Sequence, residues 1–304
     1  MPPVSAVTVL TLFLLAGAIC TVWAPSISFR NTRNTRNTRI APWTIVALAA
    51  AGCGLLAGVV HWHGLVALLA LASAALVAAT SSKRAKRLMA GGFTAVLALA
   101  LATHWLPGFD NPVLLRRVVL SPGAAPFTQY ANLDKGAAGL ILLALLCNRV
   151  RSWREFGAML GKSWLVMLVT LAAVFGLGVG LGLVRPEVKF SVLTWQFLAV
   201  NLFFTVVAEE AFFRGLLQER LASALADSAW GQWIAVACSA LLFGLVHLGG
   251  SPLLALMAGV AGVGYALVYQ VTRRIEAAIL LHIVVNGVHV IFFTYPSLLK
   301  AHGV

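Results

Sequence analysis

The sequence predicts an all-α, polytopic integral membrane protein of about ten transmembrane helices, on three observations. Hydrophobic side chains make up 61% of the 304 residues and charged ones only 10%, with a mean hydropathy of +0.93, a balance that leaves too little polar surface for a soluble domain. The apolar residues are gathered into runs of roughly the 20 residues an α-helix needs to cross a ~30 Å hydrocarbon core. The basic residues gather in the gaps between those runs so that every second loop is basic, with mixed charge in the long 107–135 connection.

The runs are read at 4–24, 42–60, 64–80, 88–106, 136–148, 163–184, 192–215, 230–248, 253–271 and 275–295. The one starting at Gly136 is short, so nine spans is the alternative count. The first run has no basic stretch before it and no small-residue cleavage site leading into a soluble domain. It is expected to be a retained span and not a signal peptide. The connections after the first, third, fifth, seventh and ninth runs carry Arg30, Arg33, Arg36 and Arg39; Lys83, Arg84, Lys86 and Arg87; Arg149, Arg151, Arg154 and Lys162; Arg214 and Arg220; and Arg273 with Arg274. His61-Trp62-His63 and Gly249-Gly250-Ser251-Pro252, between them, carry no Lys or Arg. By the positive-inside rule both termini are expected outside the cytoplasm.

Lys and Arg outnumber Asp and Glu by 22 to 9, a formal charge of +13. Dispersed among loops, this charge marks topology and contact with lipid headgroups, so membrane lipids are expected partners and nucleic acid is not. The Asn-Thr-Arg triplet repeated over 31–39 reads as a solvated basic linker, with an anionic-lipid contact as the functional alternative. Cys20, Cys53, Cys147 and Cys238 stand singly in apolar runs without metal-finger or redox spacing and are expected as buried small residues. Gly176, Gly178, Gly180 and Gly182 lie in a span with no strand before them, which favours close helix packing over a phosphate loop. The connection 107–135, rich in Pro and aromatic residues, is either a gate for substrate or an interfacial segment held by Phe109, Phe127 and Tyr130.

Chemistry concentrates within 195–291, so the chain divides into an N-terminal transmembrane region, 1–160, of unassigned role and a C-terminal region, 161–304. Glu209, Glu210 and Arg214 lie inside one apolar run, where an acid costs roughly 2.5–3.5 kcal/mol to insert and therefore calls for a function. Neighbouring helical residues point about 100° apart, so the two acids cannot face one pocket equally. Glu210 and Arg214 are spaced i,i+4 with the acid first, the favoured order for an ion pair. That pairing would occupy Glu210 and leave Glu209 for proton transfer, since an acid in an apolar site can exchange a proton near neutral pH. Phe243-x-x-x-His247 closes a second run, where a lone histidine could equally be structural. His282-x-x-x-Asn286 puts a histidine and an amide donor on one helix face, as an oxyanion site requires, with His289 on the same stripe as a supporting residue. Together Glu209, His247, His282 and Asn286 form a water-activating hydrolase set. Ser239, Ser251 and Cys238 lack a nucleophile motif, which favours direct attack by water over an acyl-enzyme.

Glu-Glu-x-x-x-Arg, Phe-x-x-x-His and His-x-x-x-Asn, in this order and each in a predicted span, resemble the CPBP family of CAAX-protease and bacteriocin-processing (Abi) proteins. The resemblance covers about 195–291. It implies an all-helical intramembrane endopeptidase core in 161–304, related to the type II CAAX prenyl endopeptidases. It also implies that Glu209 and His247 activate water, that His282 and Asn286 form the oxyanion site, and that Glu210, Arg214 and Phe243 support them. No cofactor is expected. The alternative is a zinc hydrolase with Glu209, His247 and His282 as ligands, although there is no His-Glu-x-x-His helix and Asn286 suits a zinc site poorly.

A non-catalytic scaffold or immunity protein, and a transporter relaying protons through the buried acid and histidines, are the other readings, but no internal symmetry supports the transporter. The substrate stays open among prenylated C-termini, leader peptides and C-terminal sorting tags of membrane-associated proteins, and the expected location is a bacterial inner membrane. Two tensions remain at this level. Gln218-Glu219-Arg220 is too polar to face lipid, so 216–226 must be interfacial or buried against neighbours. Straight helices would also place His282, seven residues past Ile275, at a different depth from His247, which lies near the opposite turn.

Overall fold

The computed structural model of the chain describes residues 4–29 and 38–299. The Asn-Thr-Arg repeat lies outside them except for its last two residues, which open a short strand. The described residues form ten helices: α1 (Ala6–Cys20), α2 (Pro42–Leu56), α3 (Trp62–Thr80), α4 (Arg84–Ala102), α5 (Leu133–Leu146), α6 (Trp153–Gly180), α7 (Val192–Ala224), α8 (Gly231–Leu245), α9 (Pro252–Thr272) and α10 (Ile275–Phe292). Each predicted run falls on one of them. Seven are long and apolar enough to cross a membrane, whereas α2 and α8 are shorter apolar helices and α5 has only 14 residues. Among the described residues there are thus ten helices, and length and composition support seven of them as spans. Two short ribbons accompany them, β1 (Ile27–Phe29) antiparallel to β2 (Thr38–Ile40), and β3 (Val113–Val118) paired with β4 (Phe127–Tyr130).

The helices start where side chains can satisfy the exposed amides of a first turn. Ser5, Ser152 and Ser251 accept from the amides of Thr8, Glu155 and Leu254, and Ser191 forms a reciprocal capping box with Thr194. Long apolar side chains such as Phe13, Leu48, Leu69 and Val96 remain exposed on the helix faces, as they must where lipid is the solvent.

Packing divides the chain into two units. The first comprises 1–114, 130–146 and 203–208. In it α1 packs on α2, α3 on α4, and α5 lies against α1, α3 and α4. Gly139 of α5 comes so close to Ala208 that an added Cβ would meet it at 2.7 Å. The second comprises 115–129, 147–202 and 209–304, in which α9 packs on α6, α8 and α10. Of the four glycines around 176–182, only Gly178 packs closely, against Val184 and Met257; Gly182 turns the chain with φ +67°, and Gly176 and Gly180 meet no neighbour. Close packing therefore accounts for one of the four. Cys147 is free, and its sulfur fills the space that Gly215 leaves: a Cβ there would stand 2.2 Å from it.

The polar stretch after Leu216 is buried against neighbours. Gln218 is fully buried and donates to the Ala266 carbonyl, while Glu219 accepts from Tyr269 Oη and Arg273 Nη1, each at 3.1 Å. In the 107–135 connection, residues 115–129 are tied to the end of the chain. Ala125 N donates to Ser297 O, Leu299 N to Gly123 O and Tyr295 N to Ser121 Oγ, and Phe127 packs on Phe197 and Tyr295.

Candidate active site

Helix α7 is not a uniform α-helix. A π-helical stretch, Leu202–Val206, precedes one α-turn, Val207–Glu210, and a second π stretch, Ala211–Gln218, follows it. In a π turn the amide bonds five residues back, which widens the helix, and such turns occur often at functional sites. Glu209 and Glu210 sit on the α-turn between the two.

The ion pair expected between Glu210 and Arg214 is present at 3.3 Å, with both side chains fully buried. The guanidinium lies over the rings of Phe243 (4.8 Å), Tyr265 (5.4 Å) and Phe213 (5.7 Å), and Nη2 donates to the Gly262 carbonyl at 2.9 Å. These partners offset part of the cost of burying the pair, while Arg214 Nε and Glu210 Oε2 are buried without a hydrogen-bond partner of their own.

His282 is where both acids meet. Its Nδ1–H donates to Glu210 Oε1 at 2.7 Å, and its Nε2 stands 3.9 Å from Glu209 Oε2. The ring is stacked on Tyr265, centroids 4.4 Å apart, and meets the Phe243 ring edge-on at 5.8 Å. The Glu210 bond fixes which nitrogen carries the proton and directs the other toward Glu209.

His247 lies just past the end of α8, in the turn before Gly249-Gly250. Its Nδ1–H donates to the Phe243 carbonyl at 2.7 Å, so the neutral ring offers Nε2 as an acceptor. Phe243 thus links the histidines, with its ring 4.8 Å from His247. Asn286 Nδ2 donates to Asn201 Oδ1 at 2.8 Å. His289 Nε2–H donates to the Thr294 carbonyl at 3.2 Å.

His247, His282, Asn286 and His289 line one cavity of about 280 Å³, whose other walls include Tyr265, Met257 and Leu254. His247 and His282 thus reach one cavity in spite of the difference in depth that straight helices predict. Glu209 is not among the lining residues, and its link to the cavity is the His282 ring; its side chain keeps 13% of its accessible area. Two participants are absent from the motif reading. Asn201 stands out in sequence only as an amide inside an apolar run, and Tyr265 carries no signal beyond aromatic composition. Among the described residues no three His, Cys, Asp or Glu side chains are grouped as a metal ion requires.

Residues 191–288 match the family model of the type II CAAX prenyl endopeptidase Rce1-like proteins. The match starts at Ser191, which caps α7, and encloses all three motifs. No curated protein and no solved structure matches the chain. With motifs and match on the same residues, the segment 191–288 of this multi-pass membrane protein is similar to the Rce1-like type II CAAX prenyl endopeptidases.

Proposed function

We propose that this chain is an intramembrane endopeptidase that hydrolyses a peptide bond of a membrane-associated protein or peptide with water activated by Glu209. The observation that carries the reading is the unequal placement of two adjacent acids around one imidazole. Glu210 is committed to Arg214 and to His282 Nδ1–H, which suits it to structure and to orienting the His282 ring. Glu209 Oε2 and His282 Nε2 are 3.9 Å apart, longer than a hydrogen bond, so both can address one reacting centre about 3 Å from each.

In this reading Glu209 takes a proton from water as its oxygen bonds to the scissile carbonyl carbon. The carbonyl π pair moves onto oxygen, where Asn286 Nδ2–H and the His282 ring, oriented by its bond to Glu210, stabilise it. Asn201 holds the Asn286 amide by accepting one of its two hydrogens. The C–N bond then breaks as the leaving amine receives a proton, with His247 Nε2 placed to orient the water or relay that proton. No step uses a metal. The basic loops support placing the protein in a bacterial inner membrane with those loops on the cytoplasmic side.

The test is cleavage of internally quenched peptides, with and without a farnesylated C-terminal CaaX sequence, by purified protein. Glu209→Gln should lose activity by about 10²–10⁴-fold, the range of general acid–base catalysis, with unchanged thermal unfolding; full activity in that variant overturns the mechanism. A stable but inactive Glu210→Gln beside an unimpaired Glu209→Gln would exchange the two roles. Loss of activity on chelation, restored by zinc, would favour the zinc alternative.

A further inference from the structure

The first unit holds a second polar site that the protease reading does not use. By sequence, Asp110 and Asp134 are the only acidic residues of this unit, and each is paired with a histidine. Asp134, in the first turn of α5, is buried and accepts from His104 Nδ1–H at 2.7 Å, Asn111 Nδ2 at 3.0 Å and the Lys135 amide at 2.8 Å. Asn111 is itself fixed by the Leu133 amide, which donates to its Oδ1. His104 follows α4 with φ +61°, a conformation costly for most side chains and found where function requires it. Its ring is half exposed, and its Nδ1–H is committed to the buried carboxylate, so Nε2 is left as an acceptor. Asp110 is 72% exposed and pairs with His61 Nε2 at 3.1 Å.

His104 and Asp110 line a half-open pocket of about 790 Å³, together with Phe109, Tyr130, Asn111 and Asn132. The start of α3, the end of α4 and the starts of α1 and α5 all lie at this end of the unit. The opposite end carries Lys83, Arg84, Lys86 and Arg87, so by the positive-inside rule the pocket faces the non-cytoplasmic leaflet. Exposed Trp62 and Trp105 flank it, as aromatic residues do at headgroup depth.

We propose that this pocket binds a primary ammonium group, as carried by the headgroup of an ethanolamine phospholipid. The imidazole Nε2 of His104 and the Asp110 carboxylate are hydrogen-bond acceptors, and Phe109 and Tyr130 add aromatic faces that attract a cation. A primary ammonium offers three N–H donors to those acceptors, and charge-assisted bonds of this kind are the strong ones. A choline headgroup has the same charge and no N–H, so the site discriminates between the two by hydrogen bonding.

The experiment is native mass spectrometry of the full chain in detergent, titrated with phosphatidylethanolamine, phosphatidylcholine and phosphatidylglycerol of identical acyl chains. Phosphatidylethanolamine should be retained about 10-fold over phosphatidylcholine, the scale of one charge-assisted hydrogen bond, and Asp110→Asn and His104→Gln should each bring the two toward parity. Asp110 is exposed, so its variant keeps the test valid if His104→Gln proves unstable. Equal retention of the two lipids by the unaltered protein, or a preference unchanged in Asp110→Asn, overturns the proposal, as does preferential retention of phosphatidylglycerol. Displacement of the lipid by millimolar glycerophosphoethanolamine would support the ammonium chemistry and assign the site to a soluble amine in place of the lipid.

Discussion

The two units treat their acids in opposite ways. In the second, Glu210 and Arg214 are sealed inside a span, with a cation held over three aromatic rings and an anion shared with His282. In the first, Asp110 stands exposed in the loop after α4, Asp134 is buried at the start of α5, and their histidine partners are each about half exposed. The difference follows from the solvent. Inside the bilayer a charge has only its protein partners, so removing one leaves the other uncompensated at a cost of several kcal/mol. At the headgroup level water replaces a lost partner, and an exposed pair contributes about 0–1 kcal/mol. A charge that water can solvate is also one that a ligand can exchange with.

The sharpest break of this contrast is Arg214→Met, which strands Glu210. It should destabilise the protein by about 3–5 kcal/mol, read as loss of the folded species in thermal unfolding; a stable variant would mean that Glu210 is neutral in the native protein. Next comes activity without stability. Glu209→Gln should leave unfolding unchanged while peptide cleavage falls by about 10²–10⁴-fold, so that adjacent residues of one helix separate into a structural and a chemical acid. Smaller is the effect of Asn201. Asn201→Leu should lower kcat about 10–100-fold at little change in KM, because it releases the Asn286 amide, and Asn201→Asp, which keeps an acceptor, should restore most of it. A purely structural Asn201 would change stability in both variants and leave kcat alone. Smallest is Asp110→Asn, whose unfolding temperature should stay within the shift expected of a surface change, about 0.5 kcal/mol.

Much of this was legible in the residues because the bilayer imposes strict rules. Each apolar run became a helix, and the i,i+4 spacing of Glu210 and Arg214 became a buried ion pair. The i,i+4 pair His282 and Asn286 reached one cavity with His247. What stayed hidden depends on helix geometry that no residue type encodes. The π turns of α7 have no sequence signature, so a uniform helical wheel could not show that His282 would meet both glutamates. Polarity alone left Gln218-Glu219-Arg220 either interfacial or buried against neighbours, and only the packing shows that Gln218 and Glu219 find partners on α9 and just past its end. Asn201 was passed over because a single amide in an apolar run matches no motif. The role of 107–135 was out of reach because it depends on contacts with residues more than 150 positions away in the chain.

The π turns of α7 also bear on how this helix tolerates change. Each accommodates one residue more than an α-turn of the same height, so a π stretch behaves as an insertion absorbed without a loop. Deleting one residue from 202–206 would close that stretch to an ordinary α-turn, and Asn201 and Glu210 would keep their orientation toward α10. A deletion between Val207 and Glu210, in the α-turn that has no residue to spare, would instead turn the residues beyond it by about 100°. The π stretches are thus the places where α7 can change its length without re-aiming the amide and the carboxylates.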